Sequence, residues 1–273
     1  VTMVSVIMSV FNTSDVKVLQ RSIHSIISQT FSDFEFIICD DGSTDGTYEV
    51  LATICKSDRR IKLIRNETNL KAAMARNRCI SLSKGKYIAI MDADDCSVVN
   101  RLQTQLDFLE NNKEFDFVGS SADLYNEIGI WGHRKYNKYP ENKDFLFVLP
   151  FVHASVMFRK KALEEVGGYR VAKETNRTED YDLFMRLYAN GNKGANLEDM
   201  LYLVQEDQAL YKRRKYHHKF NEAIVRYKGF RALGLMPRSF LYVIKPLVVG
   251  LIPLSLLNQL KDMYYKNKKL VDK

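Results

Sequence analysis

Four short apolar runs, VSVIMSV (4–10), FEFIICD (34–40), IKLI (61–64) and KYIAIM (86–91), recur through the first 120 residues. A stretch of helical periodicity follows each one. Leu19, Ile23 and Ile26/Ile27 line one face of the first, Val50, Leu51 and Ile54 one face of the second, residues 70–83 form the third, and Leu102, Leu106 and Leu109 mark the fourth. Strands separated by helices of this length need crossovers. Right-handed βαβ crossovers give a parallel sheet covered on both faces, where strands read as nearly continuous apolar runs. The expected fold class is therefore α/β, with a mostly parallel central sheet and helices on both faces.

Beyond residue 115 the pattern turns mixed. FDFVGSSADLY and SVMFR read as strands, KKALEEV and YDLFMRLYANG as helices, with no internal repeat or low-complexity linker. At 273 residues, 46% apolar and 27% charged, the chain suits one large domain over 1–210 and an appendage over 211–273. The net charge of +8 is uneven: residues 212–273 hold fifteen Lys/Arg against three Asp/Glu, leaving the body at −4. A mildly acidic body argues against nucleic acid as a partner. FLYVIKPLVVGLIPLSLLNQL (240–260) is the longest apolar stretch, but Lys245, Pro246 and Pro253 make it a poor spanning helix. With basic residues on both sides, it reads as an interfacial helix or helical hairpin on an anionic membrane, or else as a helix packed on the body. Cys39, Cys55, Cys79 and Cys96 form no CxxC pair and read as free thiols, with neither a disulfide framework nor a zinc site. The apolar N-terminus lacks a basic leader and reads as a first strand, not a signal peptide.

Carboxylates gather at three places: CDDGSTD (39–45) and MDADD (91–95), each after a strand, and TEDYD (178–182) at a helix start. Each alone has an ordinary explanation: a helix N-cap, a solvated turn, and acids favoured at a helix dipole's positive end. Together, two of them belong on one sheet edge. In open parallel sheets ligands sit beyond the carboxyl ends of the strands, where strand order reverses. One acidic crevice there suits a hard divalent cation with oxygen ligands.

VSVIMSVFN, FEFIICDDGSTDGT, ARNRCISLSKGKYIAIMDADD, SVMFRKKALEEVGGY and EDYDLFMRL, in this order over about residues 3–190, resemble glycosyltransferase family 2. The resemblance implies an inverting enzyme of the GT-A fold that uses a nucleotide-activated sugar. Residues 1–120 would form the nucleotide-sugar-binding half and 121–210 the acceptor half. The tail is similar to that of bacterial members that build capsule, exopolysaccharide or O-antigen on a lipid carrier, at the inner face of the cell membrane.

By that resemblance Asp40 and Asp41 bind the nucleobase, usually uracil, and the ribose, with Phe11 and Asn12 as another wall of the base pocket. Asp92 and Asp94 match the DxD motif: Asp94 coordinates Mn²⁺ or Mg²⁺, Asp92 reaches the ribose or a metal-bound water, and Asp95 is a further metal-side carboxylate. Arg76 is similar to a family arginine near the nucleotide, though it also reads as a helix-surface residue. Asp180 matches the catalytic base, with Glu179 beside it, and His153 is either an acceptor-side group or a structural histidine. The implied reaction moves a sugar from a UDP-sugar to a hydroxyl of a lipid-linked glycan. Two departures stand out. Lys71 occupies a segment where many members have glycine, and neither His217 nor His218 lies in the context of the late metal- or phosphate-binding histidine of many relatives. A sugar-nucleotide nucleotidyltransferase shares the layout, but SVFNTSDVK lacks the glycine-rich basic loop of that class. A catalytically inactive, membrane-bound assembly partner is the other alternative.

Overall fold

The structure, a computed structural model, describes residues 3–205 and 216–251. Its first half follows the expected alternation: β1 (Val4–Val10), α1 (Val16–Ile27), β2 (Phe34–Asp40), α2 (Thr47–Ile54), β3 (Ile61–Arg65), α3 (Lys71–Leu82), β4 (Tyr87–Asp92), β5 (Cys96–Ser97) and α4 (Arg101–Asn111). The second half comprises β6 (Phe117–Asn126), β7 (Gly129–Arg134), β8 (Met157–Arg159), α5 (Lys160–Glu165), α6 (Glu179–Ala189) and β9 (Gly194–Gln205), then α7 (Tyr216–Ala232) and α8 (Phe240–Val249).

Among the described residues the strands form one sheet in the order β3-β2-β1-β4-β8-β6-β9-β5, with β7 a hairpin partner of β6. The β3-β2-β1-β4 block is parallel, and β8 then joins it antiparallel to β4. The chain runs outward from β1 to β3 and returns to β4 on the other side of β1, so strand order reverses between β1 and β4. Register places Val10 beside Asp40 and Ser9 beside Asp92, which sets both acidic segments on one edge of the sheet, flanking the end of β1.

Side-chain alternation divides the core. Ile7, Ile37, Cys39, Ile88 and Ile90 face α3, α5 and α6, whereas Val6, Met8, Ile38, Ala89 and Met91 face α1 and α4. Burial on both faces explains why the strands lack polar alternation. The mixed second half arises because β8 is antiparallel to both β4 and β6, while β9 runs parallel to β6 over its length. All four cysteines are free. Helix α7 packs on α6 and α8, so the apolar C-terminal stretch begins as a helix against the body. The expected 210/211 boundary, residues 252–260 of that stretch and the basic end of the tail lie outside the described residues.

Candidate active site

Two cavities share a wall at the switch point. The larger, about 720 Å³, is bordered by Phe11, Asp41, Lys71, Arg76, Asp94 and Glu179 among others. The second, about 490 Å³, is bordered by Asp95, His153, Asp180, Lys219, Arg226 and Lys245 among others. Asp92 and Arg177 border both. Neighbouring acids thus divide between the compartments: Asp94 and Glu179 face the first, Asp95 and Asp180 the second.

Arg76 ties the segments together. It projects from α3 and is 8% exposed, donating Nη2 to Asp92 Oδ1 at 2.9 Å and Nη1 to Glu179 Oε1 at 3.2 Å. Its Nε is buried without a hydrogen-bond partner. Burial disfavours its charge, but Asp92, Tyr169 and Glu179 hold the guanidinium firmly protonated. The surface reading of Arg76 is therefore corrected: the side chain is a buried bridge to carboxylates 16 and 103 positions along the chain.

The loop after β4 is held from behind. The Asp92 N–H donates to the Tyr202 hydroxyl at 3.1 Å, and Ser22 Oγ donates to the Asp92 carbonyl at 3.1 Å. The carbonyl of Asp94 accepts from the Tyr125 hydroxyl at 3.2 Å and from Arg21 Nη2 at 3.4 Å. Asp95 is buried, and its Oδ1 accepts the Gln205 N–H at 2.8 Å; burial first, then Asp94 and Asp92, raises its pKa well above the usual carboxylate range. Fully buried Arg101 locks the following turn, donating Nη2 to the Ile90 carbonyl and Nη1 to Ser97 Oγ, both at 2.8 Å. Burial pulls its pKa down to about 10. Neither Tyr202 nor Arg101 was legible as a support, because each reaches the loop through tertiary contacts alone.

At the end of β2 the two aspartates differ. Asp40 is fully buried, and its Oδ2 accepts from the Ser43 N–H at 3.3 Å and pairs with Arg65 Nε at 3.3 Å, while Oδ1 has no hydrogen-bond partner. Asp41 Oδ1 accepts from Asn66 Nδ2 at 2.7 Å and the Leu70 N–H at 3.0 Å, which anchors the loop leading into α3. Asp41 borders the larger cavity, and Asp40 lies behind that wall. Phe11 is 44% exposed, and Asn12 in a left-handed turn (φ +48°) accepts the Thr44 N–H on Oδ1 at 3.0 Å.

Asp180 is the second residue of α6, whose first turn carries Glu179, Asp180 and Asp182. Its Oδ1 accepts the N–H of Tyr181 at 2.8 Å, and acids at this helix end gain from the dipole. His153 Nε2 lies 2.7 Å from the Tyr169 hydroxyl, and burial with the nearby Arg76 cation brings its pKa down to about 3. It borders the Asp180 cavity as an uncharged ring. His217 and His218, which sequence context did not place, both border the larger cavity, with ring centroids 4.0 Å apart.

Among the described residues no three His, Cys, Asp or Glu side chains stand together as a metal cage. Asp92 and Asp94 nevertheless present hard oxygen donors to one cavity. Mg²⁺-type sites commonly take one or two protein carboxylates and complete their shell with substrate phosphates and water. The donor set fits an ion that arrives with a diphosphate.

Comparison with known proteins agrees with this layout. The family model Glycosyl transferase family 2 matches residues 5–167, and Glycosyl transferase family group 2 matches residues 87–260. EpsE of Bacillus subtilis, a protein assigned as a glycosyltransferase, is 38% identical over 268 residues, covering 97% of this chain and 95% of its own. The Escherichia coli UDP-Glc:alpha-D-GlcNAc-diphosphoundecaprenol beta-1,3-glucosyltransferase WfaP is 29% identical over 85% of this chain and 87% of its own. Among solved structures, S. aureus TarS 1–349 in complex with UDP superposes with a TM-score of 0.69 at 18% identity, covering 94% of this chain and 77% of that one. A Pyrobaculum calidifontis mannosyltransferase in complex with GDP-Man and Mn²⁺ gives 0.61 at 15%, covering 97% and 82%. The fold is the GT-A fold.

Proposed function

The chain belongs to glycosyltransferase family 2 and is a glycosyltransferase of bacterial polysaccharide synthesis, and from that membership we propose a metal-dependent, inverting transfer from a UDP-sugar to a hydroxyl of a lipid-linked glycan. The observation that carries the reading is the Arg76 bridge between Asp92 and Glu179. It fixes the end of β4 against the start of α6 on the side of the larger cavity, and Asp92, one of its two carboxylates, stands on the wall that cavity shares with the one bordered by Asp180.

The donor would lie in the larger cavity, its base beside Phe11 and the end of β2. Asp40 lies behind that wall and would act on the base pocket through the Ser43 turn and the Arg65 side chain that it holds, not by direct contact. Asp41 shapes that wall by fixing the loop before α3. Asp94 and Asp92 would hold Mn²⁺ or Mg²⁺, with Asp95 behind them. When bound, the ion would supply charge neutralisation for the departing diphosphate. His217 and His218 border the same space and suit phosphate contact.

Asp180 would accept the acceptor hydroxyl's proton as the oxygen attacks the anomeric carbon opposite the diphosphate; one in-line displacement gives inversion. Glu179 acts through Arg76, holding its guanidinium against Asp92. His153, kept neutral, would line the acceptor side without competing for that proton. The diphosphoundecaprenol acceptor in the name of WfaP supports a lipid-linked acceptor, and exposed apolar side chains on α8 support a peripheral position on the inner membrane face. No helix among the described residues is long and apolar enough to cross a membrane.

Nucleotide release from UDP-, GDP- and dTDP-sugars, with Mn²⁺ and with chelator, on wild type and Asp94→Ala tests the reading. UDP release that needs both the metal and Asp94 is expected. Metal-dependent binding of UDP without release from any donor, given a lipid extract as acceptor source, would favour an inactive assembly partner.

A further inference from the structure

Three non-glycine residues among the described ones have a left-handed backbone: Asn12 (φ +48°), Lys71 (φ +73°) and Arg177 (φ +65°). Asn12 has a local reason, since its side chain and N–H both bond the 43–44 turn, and asparagine tolerates this region. Lys71 and Arg177 have no such excuse. Each costs conformational free energy that a glycine would avoid, and strain of this kind persists where the surroundings need the side chain.

Both cations border the larger cavity, Lys71 from the start of α3 and Arg177 from the turn before α6. Both are exposed, and among the described residues neither has a carboxylate within ion-pair distance. That is notable in a cavity that also holds Asp41, Asp92, Asp94 and Glu179. Arg177 also borders the second cavity, at the junction where a bond between donor sugar and phosphate would be exchanged. We propose that Lys71 and Arg177 are two jaws of a cationic clamp on the donor's diphosphate, each kept in a strained backbone so that its charge reaches the cleft. Lysine serves as a point charge, whereas the guanidinium fork suits two phosphate oxygens at once. The clamp rests on the nucleotide-sugar reading and deepens it, because it divides the neutralisation of the leaving group between the ion and this chain's own cations.

The test uses the full chain and the variants Lys71→Gly, Arg177→Gly and Arg177→Lys. Calorimetry compares each nucleoside diphosphate with its monophosphate, UDP/UMP, GDP/GMP and dTDP/dTMP, and the pair whose diphosphate binds the wild type most tightly is followed. Thermal melting is run without nucleotide. Each glycine variant is expected to lose about fivefold or more in diphosphate affinity, the scale of one exposed charge-assisted contact. Monophosphate affinity should hold and the melting temperature stay level or rise, because glycine removes the strain; Arg177→Lys should recover part of the loss. An unchanged ratio of diphosphate to monophosphate affinity overturns the clamp, as does a joint fall of both affinities with the melting temperature, which would show a structural role. A wild type that binds none of the three diphosphates overturns the donor reading itself, and the clamp with it.

Discussion

Asp180 and His153 border the same cavity but are suited to opposite tasks. The carboxyl group of Asp180 stands at a helix N-terminus with its Oδ1 held by the Tyr181 N–H. Removing its basicity while keeping its shape, in Asp180→Asn, should lower turnover by about 10²–10⁴-fold, the usual worth of a positioned general base. Nucleotide affinity, measured by calorimetry, should stay within about twofold; a matching loss there would move Asp180 to the donor side. His153 makes a different prediction. Its folded pKa lies near 3, below the ordinary value of 6.5. Between those values the unfolded chain binds more protons, so this residue makes stability rise with pH and fall on acidification below about 6.5. The loss by pH 5 should be at most about 2 kcal/mol. Urea unfolding at pH 7.5 and pH 5 should therefore show a smaller drop in His153→Phe than in wild type; equal drops would mean that the ring charges in the folded state. Sequence reasoning singled out Asp180 by resemblance and left His153 between an acceptor-side and a structural role; the structure sets both on one cavity. It could not see that Arg76 reaches Glu179 or that Arg177 has positive φ, because these are outcomes of chain packing and leave no local mark; for Lys71 the glycine of many family members in that segment was the one hint.

The loop elements that shape the larger cavity depend on close backbone approach. Gly42 has φ +72°, and a Cβ there would lie 2.5 Å from the Thr68 carbonyl carbon. That atom is backbone in the loop whose Asn66 side chain and Leu70 N–H are held by Asp41, so it has little room to retreat. Gly42→Ala should destabilise the fold by about 2–3 kcal/mol through strain and displacement combined. It should also weaken nucleotide binding, because Asp41 and the start of α3 border the same cavity. Wild-type melting and wild-type nucleotide affinity in this variant would show that the loops are not coupled. At this scale the first half of the chain was readable almost strand for strand: VSVIMSV is β1 and FEFIICD is β2, because buried parallel strands carry an unmistakable apolar signal. The second half was readable as elements but not as pairings. FDFVGSSADLY becomes β6, yet its neighbours, β8 on one side and β9 on the other, are set by long-range register that local periodicity does not encode.

For the whole molecule, the uneven charge acquires a geometric sense. Helices α7 and α8 extend the wall of the Asp180 cavity through Lys219, Arg226, Lys245 and Pro246. Around them α8 exposes Phe240 (53%), Leu241 (73%) and Val248 (57%), and Leu251, two residues past its end, is 73% exposed. An apolar edge that continues into a basic tail provides the two signals that stable peripheral binding needs, because neither short apolar contact nor charge alone holds a protein on a bilayer. A lipid-linked acceptor would then approach the Asp180 cavity from the bilayer side. The full chain should co-sediment with phosphatidylglycerol-containing vesicles, much less with pure phosphatidylcholine vesicles, and less as salt rises. The triple variant Leu241→Gln, Val248→Gln, Leu251→Gln keeps every charge and removes three apolar side chains. Each loses about 1 kcal/mol of partial burial, so partitioning should weaken on the order of 100-fold, while nucleotide affinity should be unchanged, because none of the three side chains borders the larger cavity. Equal partitioning of the two proteins would mean that α8 turns its apolar residues toward something other than lipid.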